Sequence, residues 1–144
     1  MSGQSVWGLT PRQSIEAECA RRGKDAVVAG CVNLLGGRDA DPDLVIALGG
    51  PGAPRVASGE NKQYWLRVWG ARGLLWAWDD VAVASVTAAL GDHHWRVREM
   101  ACKVIARHQV GNALPVVAEL RDDPIPRVRS AASRAVVLLT DASA

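Results

Sequence analysis

Basic side chains recur at a fixed spacing along the second half of this sequence. Arg72, Lys103 and Arg134 lie 31 residues apart, and Arg96 and Arg127 are separated by the same interval. Guanidinium and ammonium groups arranged in a row form charge-assisted hydrogen bonds with carboxylates or phosphates. The pattern therefore indicates either a binding surface for an anionic ligand or an ordinary solvated, charged helix face, and both interpretations stay open.

Tryptophan is the second residue type that could build a binding surface. The chain has six Trp and no Phe, and four of the six fall in one short segment. On a helical wheel Trp65 and Trp76 share a face with Arg72. Such a face needs a cover, either the N-terminal part of the chain or a partner peptide or stacked base. The predicted binding surface comprises Trp65, Arg72, Trp76, Trp95, Arg96, Lys103, Arg107, Arg127 and Arg134.

Catalytic and metal-binding patterns are weak by comparison. His93 and His94 are adjacent and would point about 100° apart on a helix. The cysteines, Cys19, Cys31 and Cys102, lack the paired spacing of zinc or redox sites, so we expect reduced side chains packed in the interior. Serine and histidine form no recognisable nucleophile, base and acid arrangement, and no catalytic residue, metal site or cofactor is predicted.

The segment LGGPGAPRVASG, residues 48–59, is rich in glycine but does not match a phosphate-binding loop. It lacks the lysine and hydroxyl residue that follow the glycines of such loops, and no strand precedes it. We therefore expect it to end one helix and to connect it to the next.

The elements that would position the basic side chains form an internal repeat. WRVREMACKV at residues 95–104 aligns with PRVRSAASRA at residues 126–135 when Val97 is placed on Val128. A further shift by the same interval brings residues 61–74 into register. Periods of this length are typical of stacked supersecondary units that share one hydrophobic core.

Each copy is predicted to be a pair of helices. The apolar residues of WRVREMACKVIARH recur at the spacing of one helix face, and the preceding VAVASVTAALGD is also apolar and ends in polar residues. The register places Val97 and Val128 in the core and Lys103 and Arg134 in solvent. We expect the second helices to be capped by Asn61, Asp92 and Asp123.

The spacing of these residues resembles a known family. An Asp with Val five residues later and Arg six residues later, as in DHHWRVREMA and DPIPRVRSAA, resembles the second helix of HEAT repeats. The whole chain is similar to short bacterial HEAT-repeat proteins, a group with no established activity. The resemblance implies an all-α, right-handed α-solenoid of about four stacked antiparallel helix pairs without a sheet, its concave surface lined by the second helices. It also implies a structural ladder between repeats, made by Asn61, Arg67, Asp92, Arg98, Asp123 and Arg129.

Length and composition suit one domain. The chain has 144 residues, a formal net charge of +2 and no apolar run long enough to span a membrane. The N-terminus lacks the pattern of an export signal, so we expect a cytoplasmic protein. We predict a single HEAT-like domain over residues 1–144. Within it, 1–60 form degenerate cap helices with a Gly/Pro loop at 49–60, and 61–140 hold three copies of the second helix.

The main functional prediction is a non-enzymatic scaffold that holds a protein or peptide on its concave surface through Trp and Arg or Lys side chains. The alternative is nucleic-acid binding through the basic stripe, for which DNA glycosylases built from HEAT-like repeats are a precedent. Glu99 and Ser130 interrupt that stripe and weaken the alternative, and an enzyme of this kind would need a carboxylate beside Trp in the groove. Val137 and Leu138 on the last helix leave a solenoid end that either the terminal DASA caps weakly or a second copy covers in a homodimer.

Overall fold

The computed structural model describes residues 8–50 and 63–143, and all regular structure within these ranges is helical. The predicted all-α class is confirmed. Short 3₁₀ turns precede or follow some of the helices, at Asp80–Ala82, Gly111–Ala113 and Leu120–Asp122. The α-helices are α1 Pro11–Arg22, α2 Lys24–Leu35, α3 Pro42–Gly49, α4 Tyr64–Gly73, α5 Val83–Ala89, α6 Trp95–His108, α7 Leu114–Glu119 and α8 Pro126–Ser143.

The chain divides into two compact units, one ending at Ala82 and the other beginning at Val83. In the first unit α1 packs on α2 and α3, and α4 packs on α2 and α3. Helix α1 begins with a capping box, in which Thr10 Oγ1 accepts from the Gln13 amide and the Gln13 side chain accepts from the Thr10 amide. The glycine that separates α1 from α2, Gly23, has a φ of 90°. This left-handed conformation favours glycine and ends α1.

Close approach of α2 and α4 shapes the core of the first unit. A Cβ atom at Gly70 would lie 2.7 Å from the carbonyl oxygen of Cys31 and 3.0 Å from Cβ of Leu34. Trp69 is only 5 % exposed, and its ring lies against Gly49 at the end of α3. Glycine at these positions lets the helices and the indole ring pack without steric overlap.

The second unit contains two helix pairs. Helix α5 packs on α6, α7 packs on α8, and the two longer helices α6 and α8 pack on each other. Val97 and Val128 are fully buried, whereas Lys103 and Arg134 are exposed. The helix-pair prediction and its register are therefore confirmed in this unit.

The starts of the second helices differ from the prediction. Asp92 does not cap α6, because its Oδ1 atom accepts from the amide of His94 at 2.8 Å, one residue before the helix begins. His94 is the cap, and its Nδ1 atom accepts from the Arg96 amide at 3.1 Å. Asp123 makes the same short turn with Ile125, at 2.9 Å, ahead of α8. An Asp side chain reaches the amide two residues on in such turns, which places each Asp just outside its helix.

Helix α3 ends at Gly49, with Gly50 at a φ of 65°, as the glycine pattern predicts. The rest of the predicted loop at 49–60 lies outside the described residues, as does Asn61. Among the helices that the structure describes, none is both long enough and apolar enough to cross a membrane. The single-domain boundaries and the right-handed path of about four helix pairs stay predictions.

Candidate functional site

The arginine that follows the core valine of α6 joins the two helix pairs of the second unit. Arg98 donates two hydrogen bonds to the Asp123 carboxylate, from Nε to Oδ2 at 2.8 Å and from Nη2 to Oδ1 at 3.2 Å. The Arg98 and Asp123 side chains are 14 % and 4 % exposed. Burial alone would raise the pKa of Asp123, but the hydrogen bonds from Arg98 and Ile125 hold it below its ordinary value. The Arg98 guanidinium therefore pairs with a buried carboxylate of its own chain.

Hydrogen bonds from arginine side chains to backbone carbonyl oxygens recur in the structural ladder. Arg98 Nη1 donates to the carbonyl oxygen of Asp92 at 2.9 Å, and Arg129 Nη1 donates to that of Asp123 at 2.9 Å. Arg129 therefore reproduces the local contact of Arg98 one repeat later, using the backbone of Asp123. Arg67, in the first unit, is half-buried on α4.

Arg72 does not belong to a solvent-facing stripe, so that prediction is wrong. Its Nη2 atom donates to the carbonyl oxygen of Leu48 at 2.6 Å. Its Nε atom is buried and has no hydrogen-bond partner among residues 8–50 and 63–143, and burial lowers the pKa of the Arg72 guanidinium. The physical reason is local to the first unit. The carboxyl end of α3 packs there on α4, and Leu48 offers one of the carbonyl groups that the end of a helix leaves unpaired.

The aromatic residues of the first unit pack on one another. The Trp65 ring stacks on that of Trp69, with centroids 6.4 Å apart, and it lies 5.3 Å from the Tyr64 ring. Trp65 and Trp76 are both half-buried. These tryptophans and Arg72 therefore contribute to the packing of the first unit, whereas the other predicted binding residues belong to the second.

A groove of about 750 Å³ runs between α6 and α8 in the second unit. Small side chains at Ala106 and Ala131 leave this space between the two helices, and Leu138 closes part of one end. Most predicted binding residues of the second unit line it, together with two residues that the sequence marked only as interruptions. The polar lining consists of Glu99, Lys103, Arg107, Gln109, Arg127, Ser130 and Arg134.

Glu99 lies at the base of the groove and is only 8 % exposed. Arg127 Nε donates to Glu99 Oε2 at 3.0 Å, and Lys103 Nζ lies 3.7 Å from the same oxygen. The expectation of a solvent-facing Glu99 is wrong, because Arg127 reaches across from α8 and covers it. A helical wheel gives the direction of a side chain from its own helix and carries no information about the neighbouring helix.

The Arg127 guanidinium also contacts Trp95 at the start of α6. Its Cζ atom lies 5.2 Å from the centroid of the indole ring, and Cζ of Arg96 lies 4.4 Å from that centroid. Both distances are within the range of cation–π attraction. Arg127 thus contacts both Trp95 and Glu99 while most of its side-chain surface stays exposed.

The groove is electropositive. Four cationic residues and one carboxylate line it. Arg127 and Lys103 keep 61 % and 48 % of their side-chain surface exposed although both pair with Glu99. Arg134 is exposed and makes no ion pair with any residue of the two described ranges. Such an arrangement attracts carboxylate or phosphate groups.

In the described part of the chain, no group of three or more His, Cys, Asp or Glu residues is placed to hold a metal ion. Cys31 and Cys102 are buried, as expected, and Cys19 is half-buried.

A family model described as HEAT repeats matches residues 60–143, which is more than half of the chain. No match was found among curated proteins or solved structures.

Proposed function

Because this chain belongs to the HEAT-repeat family, we propose that it is a non-enzymatic, cytoplasmic scaffold that binds a segment of a partner protein in the groove between α6 and α8. The family consists of helical-repeat scaffolds, and exposed grooves between stacked helices are the usual docking surfaces of repeat proteins. The observation that carries the proposal is the groove itself, about 750 Å³ in volume and lined by charged, polar and apolar side chains.

The dimensions of the groove favour a peptide segment. Its α8 wall extends from Pro126 to Leu138, which corresponds to about 18 Å along a helix axis. An extended chain rises about 3.3 Å per residue, so five or six residues of a partner would fill this length. Leu138 at one end and Ser130 in the middle offer one apolar contact and one hydroxyl group for hydrogen bonding.

The proposal is tested by selecting peptides from a displayed random library on the wild-type protein. Ser130 and Ser133 are both exposed on α8, but only Ser130 lines the groove. Selected peptides should bind the wild type and Ser133→Trp equally, and Ser130→Trp should abolish binding because the indole ring obstructs the middle of the groove. A selection that yields no binder, or binders that Ser130→Trp retains, would contradict the proposal.

Nucleic-acid binding is the second candidate function, favoured by the four cations of the groove. It is tested with fluorescent single-stranded and double-stranded DNA at low salt, where phosphate contacts are strongest. Glu99 meets only part of the condition set for a glycosylase-like enzyme, because it is a carboxylate of the groove whose partner Arg127 also contacts Trp95, but Trp95 is not among the lining residues. The Glu99 oxygen is already engaged by Arg127, however, which favours a structural role. Binding of DNA together with failure of the peptide selection would replace the scaffold proposal by this one.

A further inference from the structure

The spacing of charges in the groove between α6 and α8 specifies the chemistry of its occupant. Resting on the function proposed above, we infer that the groove recognises an acidic segment of a partner protein whose two carboxylates are three residues apart in a polyproline-like extended conformation. Glu99 pairs with two cations of the groove, Arg127 and Lys103. It therefore competes with the carboxylates of that segment for the same side chains. The inference follows from three observations.

The first observation is the distance between the two exposed arginines of α8. Arg127 and Arg134 both line the groove. Residues seven positions apart lie on nearly the same face of a helix, at a separation of about 10 Å along its axis. In an extended polyproline-like segment, side chains three residues apart point the same way and are about 9 Å apart. Two acidic residues with this spacing therefore match the two arginines.

The second observation is the apolar end of the groove. Leu138 is 40 % exposed and lies four residues beyond Arg134, about 6 Å further along the helix axis. Two residues of an extended chain span the same distance. An apolar residue two positions from one of the acidic residues would therefore lie level with Leu138 along the groove.

The third observation is the place of Glu99. Its Oε2 atom already holds Arg127 at 3.0 Å and lies 3.7 Å from Lys103, so a carboxylate is accommodated at this point of the groove. Arg127 and Lys103 remain about half exposed, which leaves donors for a second carboxylate. The incoming acid must share these cations with Glu99, and removal of the Glu99 charge should strengthen binding.

The direct test uses the labelled peptide Leu-Ser-Glu-Ser-Ser-Glu-Ser-Leu, which presents the same pattern in both chain directions. The control with both Glu replaced by Gln should bind about tenfold more weakly or worse, because it cannot form charge-assisted hydrogen bonds. Leu-Ser-Ser-Glu-Glu-Ser-Ser-Leu has the same composition with adjacent carboxylates and should bind at least threefold more weakly than the first peptide. Equal binding of the three peptides would overturn the inference.

Variants with matched controls test the roles of Arg134 and Glu99 in peptide binding. Arg134→Gln should weaken binding of the first peptide about fivefold or more, while Arg121→Gln removes an exposed charge outside the groove and should have no effect. Glu99→Gln should strengthen binding about twofold to fivefold, because Arg127 and Lys103, which are about half exposed, lose a competing carboxylate. Glu119→Gln, an exposed change outside the groove with the same effect on net charge, should leave binding unchanged. Weaker binding by Glu99→Gln with a folded protein would contradict the role of Glu99 as a competitor.

The outcomes separate this inference from the function on which it rests. If library peptides are neutral or basic and Ser130→Trp still blocks them, the scaffold stands and the acidic specificity falls. If no peptide binds, both fall. If DNA binds and displaces the acidic peptide, the groove binds a nucleic-acid backbone, and the inference of an acidic protein segment is wrong.

Discussion

Arg98 and Asp123, 25 residues apart in the sequence, form a two-bond ion pair that is almost entirely shielded from solvent. The same guanidinium donates to the carbonyl oxygen of Asp92, and the same carboxylate accepts from the amide of Ile125. One side chain of α6 thus holds the turn before its own helix and the turn before α8. The pair fixes the register of two adjacent repeats in the second unit.

Asp123→Ala should lower the free energy of unfolding by about 3 kcal/mol, because it leaves the buried Arg98 guanidinium without its partner. The neighbouring Asp122 is exposed and provides the control. Asp122→Ala should change the free energy by no more than about 0.5 kcal/mol. Urea unfolding followed by circular dichroism measures both values, and equal effects of the two substitutions would show that the ion pair does not stabilise the fold.

The lowered pKa of Asp123 predicts a loss of stability in acid. In the unfolded chain this carboxyl titrates near 3.8, and in the folded protein below that value. Its contribution is therefore present above about pH 4 and disappears as the pH falls through the lower, folded value. Unfolding measured from about pH 6 to 2 should show the wild type losing stability faster than Asp123→Asn, so that the curves converge. Parallel curves would contradict the assignment.

Gly70→Ala should destabilise the protein by up to about 2 kcal/mol although alanine favours helix formation. The gain in helix propensity is about 1 kcal/mol, but the new Cβ would lie 2.7 Å from the Cys31 carbonyl oxygen, and overpacking costs about 1–3 kcal/mol. A Cβ at Gly111 would meet no atom within 4 Å. Gly111→Ala is therefore the control, with a change of no more than about 0.5 kcal/mol in thermal or urea unfolding.

The cysteines should differ in reactivity. Burial raises the pKa of the Cys31 and Cys102 thiols to about 12, and inaccessible thiols with a raised pKa react slowly. Cys19 is half-buried, and burial together with Glu16 and Glu18 also raises its pKa. A disulfide reagent at about pH 8 should therefore modify at most one thiol of the native protein and all three after denaturation. Cys19→Ser should abolish the native reaction; rapid modification of two or more thiols would contradict the packing.

The repeat and its register were predictable because they depend on positions within one helix. Val97 and Val128 are buried and Lys103 and Arg134 exposed, as the spacing of apolar residues requires. The family could be inferred for the same reason, since the diagnostic Asp, Val and Arg lie close together in each copy.

Features that depend on a neighbouring helix were not predictable in this way. Arg72 aligns with Lys103 and Arg134, but the end of α3 lies beside it and turns it inward onto Leu48. Glu99 has the spacing of an exposed residue, yet Arg127 covers it from α8. The groove itself arises from the separation of two helices and small side chains on both, and no single segment of sequence encodes it.

The contact of Arg129 with the turn at Asp123 duplicates that of Arg98 with the turn at Asp92, which gives a rule for lengthening this protein by design. Inserting a copy of residues 93–123 directly after Asp123 would supply another arginine and another aspartate in the same order. Each additional block would then dock on the preceding one through the interaction already present, so that the number of copies sets the length of an artificial array.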